Sequence, residues 1–260
     1  FFPTGGWGLL SALVVVMFSF GGVELVGITA GEADDPKRSI PKAINQVVVR
    51  ILIFYIGAIF VMLAIFPWNK IDGKSSPFVT IFSQLGIGSA ATILNIVVLT
   101  AAVSAYNSGL YSNGRMLHAL AHQGNAPRVL GRLNRSGAPW VGVLVSSAVT
   151  ALAVLLNYLM PDKVFPYVMS VALIAGIFNW ALIMVTQLMF RRRIGSRADQ
   201  LTFKLPLYPV VNHVVLAFLA VVVVVMSTIP NYRIAVFIGP VWIAILAIGY
   251  ALKQRASRTR

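Results

Sequence analysis

Val16-Met17-Phe18-Ser19-Phe20-Gly21-Gly22-Val23-Glu24-Leu25-Val26-Gly27 places a carboxylate inside an otherwise apolar stretch, just after a glycine pair. The stretch extends from about residue 7 to about residue 30, long enough to cross a hydrocarbon core of roughly 30 Å at 1.5 Å per residue. Adjacent glycines lose the most chain entropy on entering a helix and bring no side chain to pack, so Gly21 and Gly22 permit a break. A break inside a membrane leaves carbonyls of the first half and N–H groups of the second without partners, which is tolerated only around a polar cavity or a ligand. Free carbonyls suit an ammonium and free N–H groups suit a carboxylate. The same residues also fit a second reading, in which the glycines allow close helix packing and Glu24 is hydrogen-bonded to a neighbouring helix.

Outward from this stretch, six more apolar runs follow, at about 45–66, 89–114, 140–160, 164–190, 210–229 and 235–252. Over 260 residues, 58% are hydrophobic and only 11% charged, against roughly 25% charged in soluble domains. The chain is therefore expected to be an all-α polytopic membrane protein with seven transmembrane helices. It contains no cysteine, which excludes a disulfide scaffold, a thiolate metal site and a thiol nucleophile.

The net charge of +14 reads as orientation once it is distributed over the connections. Alternating the seven spans puts 17 of the 21 Lys and Arg residues on one side and only Lys70, Lys74, Lys163 and Arg233 on the other. Cytoplasmic flanks are enriched in positive charge, so residue 1 is expected outside and residue 260 inside. Nucleic acid is thereby dropped as a partner. Residues 1–6 read as an outer connection, without the basic segment of a secretory signal. The odd number of spans and a first residue that is Phe suggest that an N-terminal part of a longer protein precedes this chain.

Phe78, Ile81, Phe82 and Leu85 recur with helical spacing in a segment too short to cross, predicting a small amphipathic helix at the outer surface. The run from 89 is expected to stay helical to about 121, roughly 50 Å, and so to tilt or project beyond the membrane. Ser104, Asn107 and Tyr111, at i, i+3 and i+7, share one face of it. Such a stripe either lines a substrate path or bonds neighbouring helices, and Asn179 in the fifth span carries the same two readings. His118 and His122 lie one turn apart without a third ligand nearby, so no metal site is expected. Asn134-Arg135-Ser136 matches a glycosylation sequon but falls on the side assigned to the interior.

Several segments carry a family resemblance. Phe18-Ser19-Phe20-Gly21-Gly22-Val23-Glu24 is followed by Gly31-Glu32-Ala33-Asp34-Asp35-Pro36-Lys37-Arg38-Ser39-Ile40-Pro41-Lys42-Ala43-Ile44-Asn45. Ser76-Pro77-Phe78-Val79, Asn107-Ser108-Gly109, Gly114-Arg115-Met116-Leu117 and Gln123-Gly124-Asn125-Ala126-Pro127 come later. Together they resemble the bacterial amino acid permeases of the amino acid–polyamine–organocation superfamily, over essentially the whole chain. Tyr106 to Asn113 and Leu207-Tyr208-Pro209 are most similar to the aromatic amino acid permeases among them.

The resemblance implies a twelve-helix LeuT-like transporter of two inverted five-helix repeats plus two final helices, of which this chain supplies helices six to twelve. Residues 1–190 would form the second repeat with its broken first helix, 191–209 a basic cytoplasmic loop, and 210–260 the last two helices with a basic tail. The first five helices would complete the site as partners, carrying the other broken helix and the lysine tied to proton coupling in some members. Implied substrate-binding residues are Phe18, Ser19, Phe20, Gly21, Gly22, Tyr106, Asn107 and Tyr111. Carbonyls around Phe18, Ser19 and Gly21 would take the ammonium, an aromatic ring at Phe18 or Phe20 would close over the substrate, and Glu24 would serve gating or proton coupling. No cofactor is implied and the coupling ion is H+. The expected function is proton-driven import of aromatic amino acids by alternating access in the bacterial cytoplasmic (inner) membrane, with proline, GABA, asparagine or small D- or L-aliphatic amino acids as alternative substrates. No filter-like carbonyl repeat or ring of like charge favours a channel. A lone intramembrane carboxylate without an acid–base partner does not favour a membrane enzyme.

Overall fold

The computed structural model describes residues 5–28, 30, 33–71, 76–86, 88–201 and 203–258. Gly31, Glu32, Asp72 and Lys74, on which parts of the sequence reading fall, lie outside the described residues, as do residues 1–4 and the side chains of Asp162, Lys163, Arg255 and Arg258.

Every regular element among the described residues is helical. α1 spans Gly5–Ser19 and α2 spans Leu25–Ile28. A long helix follows, built of α3 (Pro36–Arg50), a π-helical stretch (Ile51–Gly57) and α4 (Ala58–Ile65). Then come α5 (Pro77–Gln84), α6 (Gly88–His122), α7 (Trp140–Leu159), α8 (Pro161–Ile194), α9 (Val210–Thr228) and α10 (Pro230–Arg258). Prolines set most of the starts: Pro36, Pro77, Pro161 and Pro230 are first residues, and Pro139 and Pro209 immediately precede α7 and α9. Proline's missing N–H has no intrahelical acceptor at that position, and its fixed φ is already helical. At α3 the preceding Asp35 adds a cap, its carboxylate accepting the Arg38 N–H at 3.3 Å.

Among the described residues, six helices are long and apolar enough to cross a membrane, and the first apolar segment supplies the shorter Gly5–Ser19. All seven expected apolar segments are thus helical, the first of them broken. Gly5 and Gly6, read from sequence as connection, belong to the first turn of α1. The second helix begins at Pro36 rather than near 45, because the capped, basic turns before the apolar run are also helical. α8 likewise continues through Arg191, Arg192 and Arg193, which extend the helix by propensity and complement its C-terminal dipole, before Gly195 (φ 52°) ends it. α6 covers the whole of the expected long helix.

Contacts divide the chain into two units, one of Phe1–Val23 with Val149–Arg260 and the other Glu24–Ala148. In the first, α1, α8, α9 and α10 close around Val14, Leu173, Ile174, Ile177, Leu219, Val222, Met226 and Ala235. Gly239 of α10 lies so close to α8 that a Cβ there would sit 2.7 Å from the Phe178 ring. The second unit packs α5 on α6 through buried Ile81, so the predicted amphipathic helix buries part of its apolar face in protein. Many large apolar side chains of both units face outward, with Phe60 73% exposed, as a lipid-facing surface requires.

Candidate functional site

The helix break falls where the glycine pair predicts it. α1 stops at Ser19, residues 20–24 form turns, and α2 begins at Leu25. Phe20 N–H donates to Met17 O at 3.2 Å and Gly21 N–H to Phe18 O at 3.1 Å, a tightening of the last turn that satisfies two donors locally. The Phe18 carbonyl keeps a second lone pair. Gly22 has φ of 101°, a backbone conformation that side chains rarely adopt, so a glycine is needed here for conformation. Beyond the turn the Gly27 N–H donates to the Glu24 carbonyl at 2.9 Å and opens α2.

Phe18 and Phe20 diverge. Phe18 is 45% exposed, whereas Phe20 lines an apolar cavity of about 360 Å³ with Met17, Trp180, Met184 and Phe218 in the first unit. Aromatic faces and soft thioether groups make this cavity suited to a flat apolar group. Trp180, Met184 and Phe218 were not among the sequence candidates, since in their own helices they read as ordinary apolar positions.

In the second unit Asn107 and Tyr111 come together twice. With Leu25, Val26, Ser108 and Ser112 they line a cavity of about 390 Å³ between α2 and α6. With Arg115 and residues 136–139 they line another of about 380 Å³. Tyr111 Oη accepts from Arg115 Nε at 3.4 Å, and the guanidinium lies 5.4 Å from the Tyr111 ring centroid. Asn134 shapes the facing loop, its Oδ1 accepting the Ser136 and Ala138 N–H groups at 3.0 and 2.8 Å. Tyr106, one residue from Asn107 and therefore about 100° round the helix, lines neither cavity and is 44% exposed.

Sequence reading missed Ser108 and Ser112, the latter buried at 7% exposure. The signal was present, because 104, 108 and 112 repeat at i+4 beside 107, 111 and 115, giving a polar band two residues wide. Ser104 lies in this band, and its carbonyl accepts the Ser108 hydroxyl at 3.0 Å. Asn179 lines a groove along α8 with Thr186 and Gln187. The His118 and His122 rings lie 4.4 Å apart, centroid to centroid.

The polar side chains lining these two cavities are amides and hydroxyls with Arg115 at one end, groups that can hydrogen-bond and orient a small polar molecule.

A family profile described as amino acid permease matches residues 1–260. The aromatic amino acid transport protein AroP of Salmonella typhimurium (strain SL1344) is 48% identical over 259 residues, covering 100% of this chain and 57% of the relative. AroP of Escherichia coli (strain K12) is 48% identical over 258 residues, covering 99% of this chain and 56% of its own length. An uncharacterized amino acid permease of Bacillus subtilis (strain 168), YtnA, is 48% identical over 251 residues, 96% of this chain and 54% of the relative. The chain therefore spans little more than half the length of these relatives. With a profile match from end to end, and with the broken helix and membrane-length helices its sequence leads one to expect, this multi-pass membrane protein belongs to the amino acid permease family.

Proposed function

We propose that this chain is part of a proton-driven importer of aromatic amino acids working by alternating access. The observation that carries the substrate class is 48% identity along the whole chain to relatives named as aromatic amino acid transport proteins. The broken helix supplies the mechanism. Carbonyls at the end of α1, around Phe18, Ser19 and Gly21, attract the substrate ammonium, and the Phe20 ring with its Trp180 and Met184 neighbours offers an apolar wall. Within the second unit, Asn107 and Tyr111 on α6 are the substrate contacts that supply neutral hydrogen-bonding groups, with Tyr106 as a further ring on the same helix. Glu24, immediately before α2, serves gating or proton coupling. Glu24 is the one acidic side chain this reading places at the site, which disfavours the extra positive charge of lysine or arginine.

In the same reading residues 1–190 form a five-helix repeat with the broken helix first, 191–209 a basic connection on the cytoplasmic face, and 210–260 two closing helices. Residue 1 lies outside and residue 260 inside the bacterial inner membrane, as the 17-to-4 division of Lys and Arg favours.

Uptake of radiolabelled phenylalanine by cells expressing the gene that encodes this chain, in a host deficient in aromatic uptake, tests the proposal. Excess tryptophan and tyrosine suppress that uptake, proline, alanine and lysine do not, and a protonophore abolishes accumulation. Inhibition by proline or alanine without inhibition by tryptophan would assign another substrate class.

A further inference from the structure

Arg191, in the last turn of α8, is half-buried, and its Nε and Nη1 are enclosed without a hydrogen-bond partner. The ring of Tyr208 covers the guanidinium, 4.8 Å from Cζ to the ring centroid, and the Tyr208 hydroxyl is tied to the Leu188 carbonyl at 3.4 Å. Enclosed guanidinium donors without acceptors are costly, so such a group normally faces an anion. This unit has almost none to offer. Its sequence holds only two carboxylates, Asp162 and Asp199. Asp162 belongs to the first turn of α8, about 29 residues and some 43 Å from Arg191 along the helix. Asp199 is 90% exposed, and its carboxylate lies 3.8 Å from Lys204 Nζ. Arg192, Arg193, Arg197 and Lys204 surround the same corner, so residues 191–204 carry five positive charges and one negative.

We propose that the corner where α8 ends and α9 begins binds the phosphate of an anionic membrane lipid, with Arg191 as its principal ligand. The planar guanidinium, stacked on Tyr208, carries a fork of donors that matches phosphate oxygens. Binding requires the guanidinium to turn about its distal torsions and expose these donors, as long Arg side chains do when the stem packs and the charged head reaches the interface. A lipid rather than a free phosphate is favoured by what adjoins the site. A groove lined by Asn179, Leu182, Ile183, Thr186, Gln187 and Phe190 runs along α8, with a volume of about 520 Å³. It covers eleven residue steps, about 16 Å, and ends one residue short of Arg191. Gln187 precedes Arg191 by four, so groove and guanidinium lie on adjacent parts of one face. An acyl chain in the groove places its phosphate among the basic residues.

Spin-labelled phosphatidylglycerol and phosphatidylcholine, added separately to the purified protein in phosphatidylcholine nanodiscs, test this. The immobilised fraction of the anionic probe should correspond to about fivefold tighter association than that of the zwitterionic probe. Arg191→Gln should remove the difference, Arg191→Lys should at least halve it, and Arg193→Gln, at an exposed neighbour, should leave most of it. Millimolar inorganic phosphate or glycerol phosphate should not displace the probe. A photoreactive phosphatidylglycerol should label the wild-type protein at the Arg191–Tyr208 corner, a readout independent of whether any variant folds. Unchanged selectivity in Arg191→Gln, equal loss in Arg193→Gln, displacement by inorganic phosphate, or labelling spread evenly over the basic surface would each overturn the proposal.

Discussion

Gly142 of α7 meets Gly114 of α6 backbone to backbone: a Cβ built on Gly142 would lie 3.1 Å from the Gly114 Cα and 3.2 Å from its carbonyl oxygen. Backbone cannot move aside as a side chain does, so this contact fixes the separation of the two helices. It also holds the residues 136–139 loop against the end of the polar band on α6. Gly142→Ala is expected to lower stability by about 1–3 kcal/mol through overpacking. Gly249→Ala, in a helix with open space around the glycine, should be neutral or slightly stabilising. Thermal unfolding of the two variants in matched detergent checks the contrast.

Gly22→Ala should be as harmful for a different reason. The φ of 101° strains any residue with a side chain, by about 1–2 kcal/mol. Gly27→Ala, in open space within α2 and without a positive φ, should retain expression and uptake. Equal uptake by the two variants would show that the turn at Gly22 does not have to be held.

Glu24 stands at the junction of the turn and α2. Glu24→Gln preserves shape and part of the hydrogen bonding but cannot ionise, whereas Glu24→Ala removes both. Both are expected to reduce concentrative uptake at least about tenfold, equivalent to ~1.4 kcal/mol. Retention of activity by Gln with loss by Ala would reduce Glu24 to a brace for the break, and unchanged uptake by both would remove it from the mechanism.

The band on α6 makes a positional prediction. Asn107→Leu, which puts an apolar group where two cavities share an amide, should cut uptake about tenfold or more. Tyr106→Leu, outside both cavities, should have the smaller effect. Initial rates over a range of phenylalanine concentrations at equal surface expression separate them, and the reverse order would move the path to the Tyr106 face.

Orientation is open to direct chemistry because the chain has no native cysteine. Single cysteines at Asn69 and Asn231 should react with an impermeant maleimide in intact cells, while those at Asp35 and Ser136 should react only after permeabilisation. The opposite pattern would invert the topology drawn from the charge division.

Much of the architecture was legible because in a membrane the chain has few choices. Continuous apolar runs of about twenty residues must be helices, since only a helix satisfies its backbone within one segment without water. Prolines and Asp35 mark helix starts by their own stereochemistry. Gly21 and Gly22 announced the break and Phe78 to Leu85 the short helix. Helix ends were less legible where basic residues continue a helix beyond its apolar run, as at Pro36–Arg50 and Arg191–Ile194, because hydropathy reports lipid contact rather than backbone hydrogen bonding.

The sequence by itself determined that this is an all-helical membrane protein with its first apolar helix interrupted, and it named Asn107, Tyr111 and the glycine pair as the residues to watch. Only the tertiary structure decided which of them share a cavity. Phe18 and Phe20, two residues apart, part company because one stays outward while the other enters a pocket made by α8 and α9. Ser112 became a lining residue because it shares a cavity with Leu25 and Val26 of α2, and Arg191 became distinct from its exposed neighbours because Tyr208, seventeen residues later, folds back on it. Periodicity is a property of one helix and can be read along a chain. Enclosure is a property of two or more helices, and it depends on contacts between residues far apart in sequence.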